Sequence, residues 1–237
     1  MPHFDKNSAL KTAGLKTTAL VKTLVCTIAL GTFSGAGAQQ AQDRAGDLKL
    51  WREKCSEPDV DLRIGHIEMA LETQDMSVIR ICTKKALEST DADIRNLGLR
   101  TVIANLTHLT FKPEMPVELA NAYKKAGSNE KDLKTINGYY ITRLYRHIET
   151  VLTFEIEGGT VSSAQSTWYP LGGISERSDS YKGTAAIIGD EINWAGEAHL
   201  GTRYTCRLSV KLDSGPALAG HLHCNDYWKI PVRAPLL

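Results

Sequence analysis

Tyr204-Thr-Cys-Arg-Leu-Ser-Val-Lys-Leu-Asp-Ser-Gly-Pro-Ala-Leu-Ala-Gly-His-Leu-His-Cys224 alternates apolar and polar residues on both sides of the turn-forming Asp213-Ser-Gly-Pro216. Successive side chains of a strand point to opposite faces, so a period of two flanking a turn specifies a hairpin. If Cys206 faces Cys224, Asp213 pairs with Ala217 and residues 214–216 form a three-residue loop, a common hairpin length. The same register sets Leu208 opposite Leu222, Val210 opposite Gly220 and Leu212 opposite Leu218, all on the cysteine face. A preceding hairpin with its loop at 201–203 places Ala198 by Cys206, Gly196 by Leu208 and Trp194 by Val210. Three strands then share one apolar face, which a slip of one residue would destroy.

Upstream, 151–157, Gly158-Gly159 and 160–166 read as another hairpin, and Gly189-Asp190 marks a further turn. Residues 150–237 therefore form an antiparallel meander of about six strands. Its apolar face must be covered, by curling into a small barrel, by forming a sandwich, or by packing on helices. The short strands and glycine turns are similar to small lipocalin-like barrels of exported proteins. That resemblance implies a small apolar ligand.

The N-terminal half follows another period. Ile64, Ile67 and Leu71, then Val78, Ile79, Cys82 and Ala86, then Ile94, Leu97, Val102 and Ile103 fall at helical spacing, with Thr90-Asp91 as an N-cap. Pro113 and Pro116 interrupt the run before a last short helix near 117–125. Residues 46–128 are expected to be helical, and 129–149 to be a connection with one helix. Ser77-Val-Ile-Arg80 and Ala92-Asp-Ile-Arg95 align at an offset of 15, and the region 75–105 resembles a HEAT-type helical repeat. Such a repeat implies a protein contact surface. The expected class is α+β: N-terminal helical hairpins followed by a C-terminal antiparallel meander.

Residues 1–38 carry Lys6, Lys11, Lys16 and Lys22, an apolar run over 23–33, and Ala36-Gly-Ala38. This is the basic, apolar, A-x-A order of a secretory signal peptide. Its apolar run of 11 residues is too short to span a bilayer. Cleavage would remove Cys26 and leave Cys55, Cys82, Cys206 and Cys224. An even count in an exported chain points to disulfides, here Cys55–Cys82 and Cys206–Cys224, each stapling one uniform region. Loss of the leader also takes the formal charge from +1 to −2. No concentrated basic run remains, which disfavours nucleic acid and anionic membrane as partners.

Residues that could carry function are few. Trp168, Tyr169, Tyr227 and Trp228 lie near loop ends of the strand half, where they could line a ligand mouth or a partner surface. In the register above, Glu197, Arg207 and His223 form a polar row on the outer face, with His199 and His221 beside it. Strand histidines with an arginine among them are poorly arranged to converge on a metal, so no metal or other cofactor is expected. The chain reads as an exported non-catalytic binding or interaction protein of the bacterial envelope, periplasmic or secreted, taking an envelope protein or a small apolar ligand. The alternative is an envelope hydrolase using Glu197, His199 and His223.

Overall fold

The alternation in residues 204–224 becomes the register of two paired strands. In the computed structural model, which describes residues 35–171, 177–213 and 215–237, Cys206 stands opposite Cys224, Leu208 opposite Leu222 and Leu212 opposite Leu218. The expected leader lies outside the described residues as far as position 34.

The chain runs α1 (Gly35–Lys54), α2 (Val60–Glu72), α3 (Met76–Leu87), α4 (Ala92–Asn105), β1 (His108–Pro113), α5 (Val117–Ala126), α6 (Glu130–Asn137) and α7 (Tyr140–Ile148). The strands β2 (Leu152–Glu157), β3 (Gln165–Pro170), β4 (Gly183–Ile188), β5 (Glu191–His199), β6 (Arg203–Leu212), β7 (Ala217–Cys224) and β8 (Ile230–Pro235) follow. The fold is α+β, with a closed antiparallel barrel in the order β1 to β8. Closure comes from β1, which pairs with β2 through Leu109–Phe154 and with β8 through Lys112–Arg233.

Three expectations are corrected. The span 46–128 is not helical throughout: His108-Leu-Thr-Phe-Lys-Pro113 alternates exposed and buried side chains and supplies β1. Residues 129–149 hold two helices, α6 and α7. The hairpin of β5 and β6 is offset by two residues from the expected register, with Gly196 opposite Cys206, Trp194 opposite Leu208 and Ala198 opposite Tyr204. Its loop is 200–202, where the Leu200 amide donates to the Thr202 carbonyl. A shift of two keeps every apolar side chain on the same face, so parity survives while every pairing moves.

The barrel is filled by its own side chains. Phe111, Phe154, Trp168 and Trp194 are buried at its centre, with ring centroids 6.0 Å, 5.5 Å and 5.0 Å apart along the chain of contacts through Phe154. Buried indoles need acceptors. Trp168 Nε1 donates to Ser166 Oγ at 2.8 Å, and Trp194 Nε1 to the Trp168 carbonyl at 3.4 Å. Elsewhere in the wall two strands approach closely. Gly183 faces Gly196 across β4 and β5, and a Cβ on Gly183 would lie 2.1 Å from the Ala195 carbonyl oxygen. Glycine pairs of this kind let strands bend at a tight barrel corner.

Helices close both ends. Strand direction puts the α4–β1 junction, the β4–β5 turn and the β6–β7 loop at one end. There Leu99, Val102 and Ile103 of α4 join the barrel core, and Arg95 donates to the Leu212 carbonyl and pairs with Asp190. The other end carries the long β1–β2 connection, the β5–β6 loop and the β7–β8 turn. Ile141, Leu144 and Ile148 of α7 enter the same core from that side. A second, smaller core under α2 and α3 contains Ile67, Val78 and Ile94 around the Cys55–Cys82 disulfide. The Cα atoms are 5.2 Å apart there and 4.0 Å apart in Cys206–Cys224. On the chain-entropy account each crosslink stabilises by about 3–4 kcal/mol. Residues 41–237 form one compact unit.

The plug is testable. Ile148→Ala, at a position with no solvent exposure, should destabilise the protein by about 2–5 kcal/mol in a denaturant titration. Asp75 caps α3 by accepting from the Ser77 and Val78 amides, and its pairing with Arg44 at 2.6 Å holds its carboxyl below the ordinary range. A depressed carboxyl contributes stability above its unfolded pKa of about 3.9 and loses that contribution as pH falls through the lower folded value. Asp75→Asn should therefore lower the melting temperature at neutral pH, with the difference from the parent shrinking below about pH 4.

Candidate functional site

α7 has two working faces because Tyr140-Ile-Thr-Arg-Leu-Tyr-Arg-His-Ile148 carries two stripes at helical spacing. Ile141, Leu144 and Ile148 point into the barrel. Tyr140, Arg143 and His147, at i, i+3 and i+7, share the neighbouring face. That face looks across a cleft of about 420 Å³ toward Leu200, Gly201, Thr202 and Tyr204. The volume is within the range of small-molecule sites.

The cleft is tight at Gly201, where φ is +80° and a Cβ would lie 3.3 Å from His147 Nδ1. Only glycine adopts that backbone readily, and its bare Cα lets the loop rest against the imidazole. His147 Nε2 is shut from solvent and has no hydrogen-bond partner among the described residues. The Arg143 guanidinium carbon lies 4.5 Å from the centroid of the Tyr140 ring. Tyr227, on the β7–β8 turn, stacks on Tyr140 at 5.8 Å and 8° and meets Tyr204 edge-on at 6.2 Å. Burial, reinforced by neighbouring Tyr227, pushes the Tyr204 hydroxyl above the usual tyrosine pKa. None of the described residues lining the cleft is acidic.

The aromatic residues singled out in the sequence part company in the structure. Trp168 is wholly buried inside the barrel and lines no mouth. Tyr169 faces outward but is 3% exposed, under an Arg177 guanidinium at 3.8 Å. Its hydroxyl donates to Glu157 Oε2 at 2.8 Å and accepts from Arg177 at 2.9 Å, which closes a polar clasp on the barrel wall. The hydrogen bond from Tyr169, with the charge of Arg177 beside it, holds the Glu157 carboxyl below its ordinary range. Tyr227 stacks on Tyr140 and meets Tyr204, two residues that line the cleft, and Trp228 follows it on the same turn, 37% exposed.

The polar row does not form. The two-residue offset puts Ala195, not Glu197, opposite Arg207, which faces His223 on its other side. Glu197 instead ion-pairs with Arg203. His199 stands opposite Arg203 with its ring 5.4 Å from Tyr181, and its Nδ1 is buried without a hydrogen-bond partner. Glu197, His199 and His223 are thus not assembled as an acid–base set. Among the described residues no group of three or more His, Cys, Asp and Glu is placed to hold a metal ion.

Tyr140, Arg143, His147 and Tyr204 are cleft residues that reading the sequence missed. The signal for the first three was the spacing i, i+3, i+7 of Tyr140, Arg143 and His147 on α7. A second concavity, about 390 Å³, runs between α3 and α4 past Met76, Ile79, Arg80, Val102 and Leu106 to Leu236. The helix pair beneath it is close-packed: a Cβ on Gly98 would lie 2.7 Å from the Ala86 Cβ.

Burial separates the two tryptophans by experiment. Trp168→Ala should cost about 3–5 kcal/mol in equilibrium unfolding, whereas Trp228→Ala should stay within about 0.5 kcal/mol of the parent. Comparison with known proteins leaves the site to be read from its own geometry: no family model matches the chain, and neither a curated protein nor a solved structure does.

Proposed function

We propose that this chain is an exported, non-catalytic binding protein of the bacterial envelope, periplasmic or secreted, which recognises its ligand or partner in the cleft between α7 and the β5–β6 loop. The observation that carries the reading is the Tyr140–Tyr227 stack with Arg143 over it, beside a sequestered His147 nitrogen that lacks a partner. Buried polar groups are normally satisfied, so an unpartnered one on a residue that lines a concavity supports a ligand position there. Export is supported by the leader order and by two cysteine pairs at disulfide geometry. The barrel is lipocalin-like in outline, yet Phe111, Phe154, Trp168 and Trp194 occupy its interior. A bound molecule therefore sits at the rim, with the barrel as the rigid scaffold behind it.

The test is affinity isolation of the processed protein from its native envelope, with bound proteins and small molecules identified by mass spectrometry. Tyr140→Ala and Tyr227→Ala should each lose a bound species that the parent retains, at unchanged melting temperature. Alanine at Glu197, His199 and His223 should leave it in place. A turnover abolished by those three changes would replace this reading with the hydrolase.

A further inference from the structure

Taking the cleft as the binding site, as proposed above, we infer that its ligand is a small organic anion, a carboxylate carried on a planar ring. The charge argument comes first. Arg143 is the permanently cationic group of the lining, no acidic residue lines the cleft among the described residues, and Arg143 has no ion pair among them. A guanidinium lying against an aromatic face keeps its in-plane N–H donors available, and those donors match a carboxylate in bidentate fashion.

Hydrogen-bonding capacity points the same way. Among the residues lining the cleft, His147 carries a buried ring nitrogen, Nε2, with no hydrogen-bond partner among the described residues. Tyr204 stays a phenol rather than a phenolate because burial opposes its ionisation, so its hydroxyl donates. Thr202 adds a hydroxyl from the loop. The Arg143 guanidinium, a donor-only group, with these hydroxyls beside it suits an acceptor-only ligand group.

The ring follows from the aromatic geometry. Tyr140 and Tyr227 are nearly parallel and Tyr204 meets Tyr227 on edge, so a flat ligand entering beside them extends an existing stack. The volume of 420 Å³ is near the small end for ligand sites and accommodates a one- or two-ring molecule rather than a polymer. The groove between α3 and α4 carries Arg80, Thr83 and Asn105 among aliphatic side chains, and no aromatic residue is among its described lining.

Isothermal titration of the purified, processed protein with indole-3-acetate, its neutral amide and acetate tests the inference directly. The ring-bearing acid should bind at least about tenfold more tightly than either its amide or acetate, a charge-assisted pair being worth that much. Arg143→Gln should lose about tenfold for the acid and under about threefold for the amide. This acid-to-amide contrast is read on the parent protein, so it stands even if a variant folds poorly. Equal binding of acid and amide, or an Arg143→Gln change that is silent where Tyr227→Ala abolishes binding, would overturn the anion. No binding of any probe, while the species isolated from the envelope still depends on Tyr227, would overturn this ligand class and keep the cleft. Isolation indifferent to Tyr140 and Tyr227 would overturn the cleft as well.

Discussion

Ring closure between β1 and β8 is the constraint on which the rest of the molecule depends. An eight-stranded antiparallel sheet with one apolar face must hide that face, and joining its edges removes both unpaired strands at once. The closed wall then leaves a space just large enough for side chains, and Phe111, Phe154, Trp168 and Trp194 take it. Both open ends would still wet these rings. The helices at either end answer that need, α4 through Leu99 and Ile103 and α7 through Leu144 and Ile148. Burial of this kind stabilises by about 1.5–3 kcal/mol per large apolar side chain.

With its interior filled by side chains and its ends plugged, the barrel leaves the recognition proposed for this chain to its rim. The plug at the α7 end borders the cleft proposed for it. One helix seals the core with three aliphatic residues and presents Tyr140, Arg143 and His147 beside them. Since the aliphatic stripe is held by packing, the adjacent stripe is held too, and side chains in the cleft are positioned without loops of their own. Positioning by a rigid element is what a binding site requires if ordering costs are to stay small. The β5–β6 loop reaches the helix because Gly201 has no side chain to keep it away.

Local signals in the sequence carried the strand half far. Cys206 and Cys224 with the alternation between them gave the β6–β7 pairing residue for residue, and Asp91 marked the start of α4. The β5–β6 register was legible only as parity, since a three-residue loop at 200–202 or at 201–203 leaves the same side chains inward. β1 escaped because six residues between helices are too short a window for a period of two, and its partner β8 lies more than a hundred residues downstream. Trp168 looked like a mouth residue for a related reason: closeness to a loop in sequence says little about which way a strand side chain points. The cleft was hidden longest. Its walls come from α7 and from the β5–β6 loop with the start of β6, and Tyr227 of the β7–β8 turn backs Tyr140, segments that only the closed barrel brings together.

The closure itself can be observed in solution by nuclear Overhauser spectroscopy on labelled, processed protein. Cross-strand contacts should appear between the Lys112 and Arg233 backbones on one side of β1 and between Leu109 and Phe154 on the other. A strand at 108–113 that shows contacts to β2 alone, with amides exchanging as freely as those of an open edge, would contradict the account.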